Sequence, residues 1–402
     1  MPLSTIKTAS LADNAVSTAK MANEALNGRK NLVINGAMQV AQRSTSETGK
    51  GAAAGYHTVD RIKMLVGPTA TAGRFTMSQS SVTDLDGFSN AVKLQCTTAD
   101  TSIAAGEACI LQTSFEGLDL QKLLNTSTSS KAFTVSFYAK ANESRAVALE
   151  VRTSHGTNRQ IAKLFTITSS WQRFTFNVPA AASGMQFGND NSNDLQLNWW
   201  QHAGSDYTGG TLSADWEGAT NANRAAGIGS LFASTSNFFE ITGVQLEVGS
   251  TATPFEHRPI GEELQLCQRY FFNPFAGGNG QPAQITGFFP VNFGTVVSTG
   301  NNGHMVIHVP FPVSMRAAPS LSHDLANTKL VSASPGGNQV SFYYQNQGWT
   351  TKAGNGNLNT LSRNVSTSSG CVVGTYYISP GGVRYDQVAI GASNKFHFSA
   401  DL

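Results

Sequence analysis

The chain has 402 residues, a net charge of +2, and 40% hydrophobic but only 13% charged residues, where about 25% charged is usual. The apolar share excludes a disordered chain, and the length predicts two or three domains. No block of Lys or Arg offers the basic face that nucleic acid needs, and no apolar run reaches the roughly 18 residues of a membrane span.

Residues 1–28 carry a repeat. Thr8 to Val16 (TASLADNAV) is echoed ten residues later by Thr18 to Leu26 (TAKMANEAL). The larger apolar side chains Ile6, Leu11, Val16, Met21 and Leu26 recur every five residues. On a helix, five steps of about 100° leave successive ones about 140° apart, and on a strand they alternate between faces. Neither conformation makes one stripe. The segment therefore reads as an extended arm for oligomerisation or docking, wound with identical arms or laid along another protein. Met1 to Ala15 has no apolar core of a secretory signal.

Residues 29–258 alternate as short strands do. Phe133, Val135 and Phe137 fall on one face, as do Val147, Leu149 and Val151, then Phe174, Phe176 and Val178, and finally Val244, Leu246 and Val248. Polar turns separate them at Asn142-Glu143-Ser144, Ser154-His155-Gly156 and Thr168-Ser169-Ser170. Gly, Ser, Thr and Asn favour turns over long helices. A jelly-roll β-sandwich is expected.

Pro259 opens a connector helix over 259–273, with Glu262 and Glu263 in the first turn, where acids suit the helix dipole. Ile260, Leu264, Cys267 and Phe271 recur at helical spacing. From 274 to 402 the alternation returns in Met305 to Val313 and Val340 to Tyr344, predicting a C-terminal β-sandwich. The fold class is mainly β throughout.

The four cysteines, Cys96, Cys109, Cys267 and Cys371, match no zinc spacing. They read as buried thiols, with a Cys96–Cys109 bridge between neighbouring strands as the alternative. His304 and His308 share one strand face, which a metal pair or two ordinary polar positions would explain. Asp190 to Asp194 (DNSND) alternates oxygen ligands, but Leu195 and Gln201 stand where a calcium loop needs Gly and an acid. No catalytic or cofactor motif is present, so neither a cofactor nor a resident metal is expected. The pairs Asp84/Asp86 and Glu107/Glu116 carry no sign of converging as glycosidic carboxylates.

Aromatic rings set among amides suit sugars. Trp199, Trp200, Tyr207 and Trp216 form one such group, better explained as core, since adjacent tryptophans on a strand face opposite ways. Tyr344, Asn346, Trp349 and Asn355, in a Gly/Asn-rich loop context, form the preferred glycan-binding candidate, against interchain packing or a loop anchor.

Several segments together resemble bacteriophage tail-fibre and receptor-binding proteins with a carbohydrate-binding-module-like jelly roll. They are the decapeptide arm, Asn31 to Val40 with Tyr56 to Arg61, Ile241 to Gly249 with Pro254 to Pro259, the helix ending Cys267-Gln268-Arg269-Tyr270, and Phe311 to Pro319. The likeness covers most of the chain to about Pro319 and thins beyond it. It implies a homotrimer of the virion, assembled in bacterial cytoplasm, while the lack of catalytic motifs and of a long β-helical period argues against an enzyme. The arm would join a phage tail or adaptor protein, and the C-terminal tip would meet a host surface glycan. A head fibre or capsid decoration protein, and a polysaccharide depolymerase, are the alternatives.

Overall fold

The computed structural model describes residues 29–273, 311–317, 319, 320 and 399–402, together with the backbone of the strands between residues 276 and 399. The arm positions Ile6, Leu11, Val16, Met21 and Leu26 lie outside the described residues.

In chain order the first strands are β1 (Ser46–Lys50), β2 (Gly55–Tyr56), β3 (Lys63–Val66), β4 (Arg74–Ser81), β5 (Asn90–Thr98) and β6 (Ala108–Glu116). A short hairpin follows, β7 (Leu124–Thr126) and β8 (Ser129–Ser130), then β9 (Phe133–Ala141), β10 (Arg145–Thr153), β11 (Arg159–Ile167) and β12 (Gln172–Val178). After β13 (Asn193–Ala203) come one helical turn, α1 (Ser205–Thr208), and then β14 (Glu217–Gly218) and β15 (Phe238–Val248). One sheet runs β1-β4-β5-β15-β9-β12 and the other β14-β11-β10-β13-β6-β3-β2. All pairings within them are antiparallel, and only β2–β3, β4–β5 and β10–β11 are consecutive neighbours. Elsewhere, apart from the step from β13 to β14 within the second sheet, the chain crosses between sheets, giving the sandwich expected from the alternation.

That alternation also fills the core. Phe133, Val135 and Phe137 of β9 meet Val147, Leu149 and Val151 of β10 and Leu195, Leu197 and Trp199 of β13, all buried in one cluster. Phe137 lies edge-on to Phe165 and Trp199, with centroids 5.5 and 5.6 Å apart, a geometry that aligns ring edges with the negative faces. At Gly243 (φ +59°) a Cβ would strike Phe88 and Tyr138 at under 3 Å, so the strand can bend there only with glycine.

Cys96 and Cys109 are buried free thiols on strands of opposite sheets, not on neighbouring strands. The helix α2 (Ile260–Gln268) begins after Pro259 as expected but is shorter than the sequence reading. It buries Glu263 and Cys267 and leaves Ile260 57% exposed. Phe271–Phe272 leaves the helical path and pairs as a strand with Phe398 and Ser399, because that distant partner supplies a ladder.

The C-terminal region is β, in agreement with its alternation. Gly303–Pro310, Gly370–Tyr377, Gln339–Tyr344 and Gly348–Ala353 form one sheet, with Ser362–Thr367 also on Gly370–Tyr377. Its two ends return to the sandwich. Arg316 donates to Ala400 O (2.7 Å), Asp401 O (2.8 Å) and Asn191 O (2.9 Å). Tyr56 Oη donates to Leu402 O at 2.8 Å, and Arg43 pairs with Asp401 and Asp60. The Arg43 and Arg61 guanidinium groups lie 3.7 and 3.4 Å from the ring centroids of Phe271 and Tyr270. Charge and stacking together fasten the tail beside β2 and β3.

Candidate functional site

The second sheet's outer face is ordered in rows by its register. Leu65, Ile110, Trp200, Ala148 and Leu164 are successive cross-strand partners. The segment after β13 covers this row. Tyr207 of α1 packs 5.2 Å from Trp200, and Arg224 lies 4.8 Å from the same ring. Trp199 points into the core and Trp200 outward, yet both are buried. Trp216 donates to Pro179 O at 2.9 Å and packs on the core edge. These aromatics are structural, as their spacing suggested.

The next row crosses five strands as Tyr56, Lys63, Gln112, Asn198 and Glu150. Gln112 donates to Asn198 at 2.8 Å, and Asn198 and Trp200 donate to Glu150 at 3.1 and 3.0 Å. Arg224 closes the network on both carboxylate oxygens at 2.8 and 3.1 Å. Glu150 is fully buried and fully compensated. Lys63 at the rim donates to Leu402 O at 3.1 Å, and burial draws its ammonium below the usual range despite Asp401.

A third row, Gln160, Arg152, Gln196 and Ser114, is different. Arg152 and Gln196 are half-buried, and neither side chain has a hydrogen-bond partner among the described residues. Burial lowers the Arg152 pKa, the like charge of Arg224 adds to that, and Glu150 opposes it. Ser114 Oγ is buried without a partner, as are Nε and Nη1 of Arg61, whose Nη2 donates to Ser114 O. The row is thus a shelf of donors short of acceptors. An oxygen-rich anion fits such a row, since a guanidinium binds carboxylate, sulfate or phosphate through paired N–H bonds. The alternation that marked Val147, Leu149 and Val151 as inward also marks Arg152 as outward. Whether a cation there finds a partner depends on distant residues, so the sequence reading missed it.

The sequence candidates fall elsewhere. Tyr344 and Trp349 lie on the paired strands Gln339–Tyr344 and Gly348–Ala353, where Trp349 is opposite Tyr343 and Tyr344 opposite Gly348. Trp349 is therefore on a strand rather than in a loop, because the ladder extends to Gly348. Asn346 and Asn355 lie outside the described residues. His304 and His308 are both on Gly303–Pro310, opposite Tyr376 and Val372.

The Asp190–Asp194 loop bonds only part of its oxygens to backbone nearby, and Asn193 Oδ1 and Asp194 Oδ1 have no hydrogen-bond partner among the described residues. Asp190 accepts from Ser192 N at 2.9 Å, Asp194 accepts from Gly188 N, and Asn191 Nδ2 donates to Arg316 O. Glu107 and Glu116 stand at opposite ends of β6, bonded to His202 and Arg269, so they form no catalytic pair. Asp84 is held by Lys140 and Trp171.

No family model and no curated protein matches this sequence. Among solved structures, the chain is similar to the enzymatically active domain of tailspike protein 4 of bacteriophage CBA120, at 12% identity and a TM-score of 0.28, covering 55% of this chain and 21% of that one. It is also similar to a family 30 carbohydrate-binding module (10% identity, TM-score 0.28, 55% of this chain and 98% of the module). A third is a family 11 carbohydrate-binding module from Clostridium thermocellum (12%, 0.26, 53% and 99%). The chain thus spans about a fifth of the tailspike's length. Scores this low carry no argument about what this chain binds.

Proposed function

We propose that this chain is a virion attachment protein, a trimeric phage fibre that holds a host surface glycan without cleaving it. Residues 1–28 dock it on a tail or adaptor protein, and the β domains face the cell. The observation that carries the glycan reading is the row Arg152, Gln196 and Ser114, where two half-buried side chains and a buried hydroxyl have no hydrogen-bond partner among the described residues. An acidic polysaccharide supplies both needs, an anionic group for the guanidinium and hydroxyls for the amide. The Trp349 hairpin offers a second surface in the C-terminal region. Docking rests on the five-residue period of Ile6 to Leu26, which a single chain cannot bury. Three copies on one fibre raise avidity by roughly 10²–10⁴, so a weak single site suffices.

Retention of the full chain on immobilised acidic and neutral host polysaccharides tests the reading. Wild type is expected to be retained on the acidic polymer and released by salt, and Arg152→Ala to elute at least about tenfold earlier in ligand concentration. Equal retention of Arg152→Ala and wild type sinks the assignment to this row. Trp349→Ala is expected to reduce cell adsorption with the oligomer intact. Deletion of residues 1–28 should abolish trimer formation or virion incorporation, and immunogold labelling separates tail from head attachment.

A further inference from the structure

The sandwich holds a second polar centre, apart from the outer face of the second sheet. Asp100 follows β5, Glu107 precedes β6, and His202 sits near the end of β13 at a register shift. All three are buried, with exposures of 5%, 4% and 0%. One ligand atom from each lies within 4.8 Å of the other two. His202 Nε2 is 2.9 Å from Glu107 Oε2, and its Nδ1 is 2.7 Å from Ser230 Oγ. Asp100 Oδ2 accepts from Thr71 Oγ1 and Ala72 N, both at 2.7 Å, whereas Oδ1 has only Ser102 N at 3.2 Å.

The charge at this centre is unusual for the molecule. Most other buried carboxylates of the sandwich have a cation: Glu150 with Arg224, Glu116 with Arg269, Glu263 with Arg258, Asp60 with Arg43, and Glu240 with Lys93 and Lys140. Glu247 is held instead by Thr253 and Gln245. Asp100 and Glu107 are two carboxylates side by side, and neither forms an ion pair with Lys or Arg among the described residues. Buried charge in that arrangement calls for a positive partner.

The geometry points to a divalent metal site made by Asp100, Glu107 and His202, of the kind that takes Zn²⁺. An imidazole nitrogen with two carboxylate oxygens suits this borderline ion. Metal–ligand distances of about 2.0–2.2 Å place tetrahedral donors roughly 3.3 Å apart, so His202 Nε2 and Glu107 Oε2, now 2.9 Å apart, would open slightly while the Asp100 carboxylate closes from within 4.8 Å. With Nε2 on the ion, Nδ1 would carry the ring proton and donate it to Ser230 Oγ at 2.7 Å, an outer-partner role that orients the imidazole. Ser230 Oγ already accepts from Phe232 N at 3.0 Å, which holds it in place. The fourth position is left to water. The ion would pin the 99–107 crossover between the sheets and so brace that end of the sandwich.

The test uses the full chain, stripped with chelator and titrated with Zn²⁺ by calorimetry, and with Co²⁺ as a coloured stand-in. About one equivalent is expected at this centre. Glu107→Gln, which keeps the shape and hydrogen-bonding reach, should weaken binding by at least roughly 100-fold, and Ser230→Ala by about tenfold. The Co²⁺ absorption bands should disappear in His202→Gln. Circular dichroism distinguishes loss of the site from loss of the fold, and Glu107→Gln serves if His202→Gln does not fold. Zn²⁺ uptake that is absent in wild type, or identical in wild type and Glu107→Gln, overturns the site. The second outcome would leave Ser230, His202 and Glu107 as a hydrogen-bonded chain without metal.

Discussion

The two outer faces of the sandwich are built on the same strand alternation and end in opposite states. On the first sheet the charges neutralise one another: Lys93 and Lys140 flank Glu240, and Lys140 also meets Asp84, which accepts from Trp171. Beside them Phe88, Tyr138, Phe255 and His257 close into an aromatic group with centroids 4.8–5.3 Å apart. On the second sheet one row is covered, one is internally bonded, and one keeps Arg152 and Gln196 without hydrogen-bond partners among the described residues. On the proposed reading, a sheet face becomes a binding surface when its donors outnumber its own acceptors. Polarity alone does not do it.

The largest expected effect breaks the bonded row. Glu150→Gln leaves Arg224 unpaired at a site where the carboxylate is fully buried. A loss of about 3–5 kcal/mol in denaturant unfolding is expected, because the guanidinium stays desolvated. The double change Glu150→Leu with Arg224→Met removes both charges and should recover much of that loss. If Glu150→Gln costs under about 1 kcal/mol, the network is not what stiffens this face.

A second prediction concerns the Tyr56–Arg61 segment at the rim of the same face. Burial pushes the Asp60 carboxyl up to about 6, against the opposing charge of Arg43. Burial, followed by the charge of Lys50, brings His57 down to about 4. The raised acid favours folding below its ordinary value, and that stability is lost as pH rises through about 6. The depressed base favours folding above its ordinary value of 6.5, and that stability is lost as pH falls through about 4. Between pH 4 and 6 the two slopes oppose each other. His57→Gln should leave a chain that loses about 2–3 kcal/mol from pH 4 to 6. Asp60→Asn should leave one that loses roughly 1–2 kcal/mol from pH 6.5 to 4, less because His57 is only partly buried. Urea unfolding at three pH values checks both signs.

How much of this was legible follows from how local each signal is. Phe133, Val135 and Phe137 announce an inward strand face from their own spacing, and Pro259 announces the start of α2. The turns Asn142-Glu143-Ser144 and Ser154-His155-Gly156 look alike in sequence. The first carries the chain across the sandwich and the second closes the β10–β11 hairpin, since pairing is decided by strands far away. For the same reason Phe271–Phe272 reads as the end of a helix until Phe398 and Ser399 arrive beside it. Arg152 is visible as outward-facing, but its lack of a partner is a property of the assembled face. The buried set Asp100, Glu107 and His202 spans three separate segments, and no spacing rule could join them.

The smallest expected effect is the sharpest control on the comparison. Asp84 is 59% exposed while Lys140 is 19% exposed, and an ion pair so open to solvent is screened and entropically costly to hold. Asp84→Asn should change unfolding free energy by less than about 1 kcal/mol and leave retention on acidic polysaccharide unchanged. If Asp84→Asn instead strengthened retention as Arg152→Ala weakened it, binding would follow the net charge of the whole domain. Acidic polymer would then be held by a diffuse field acting on both faces, and the unpaired row on the second sheet would lose its special place.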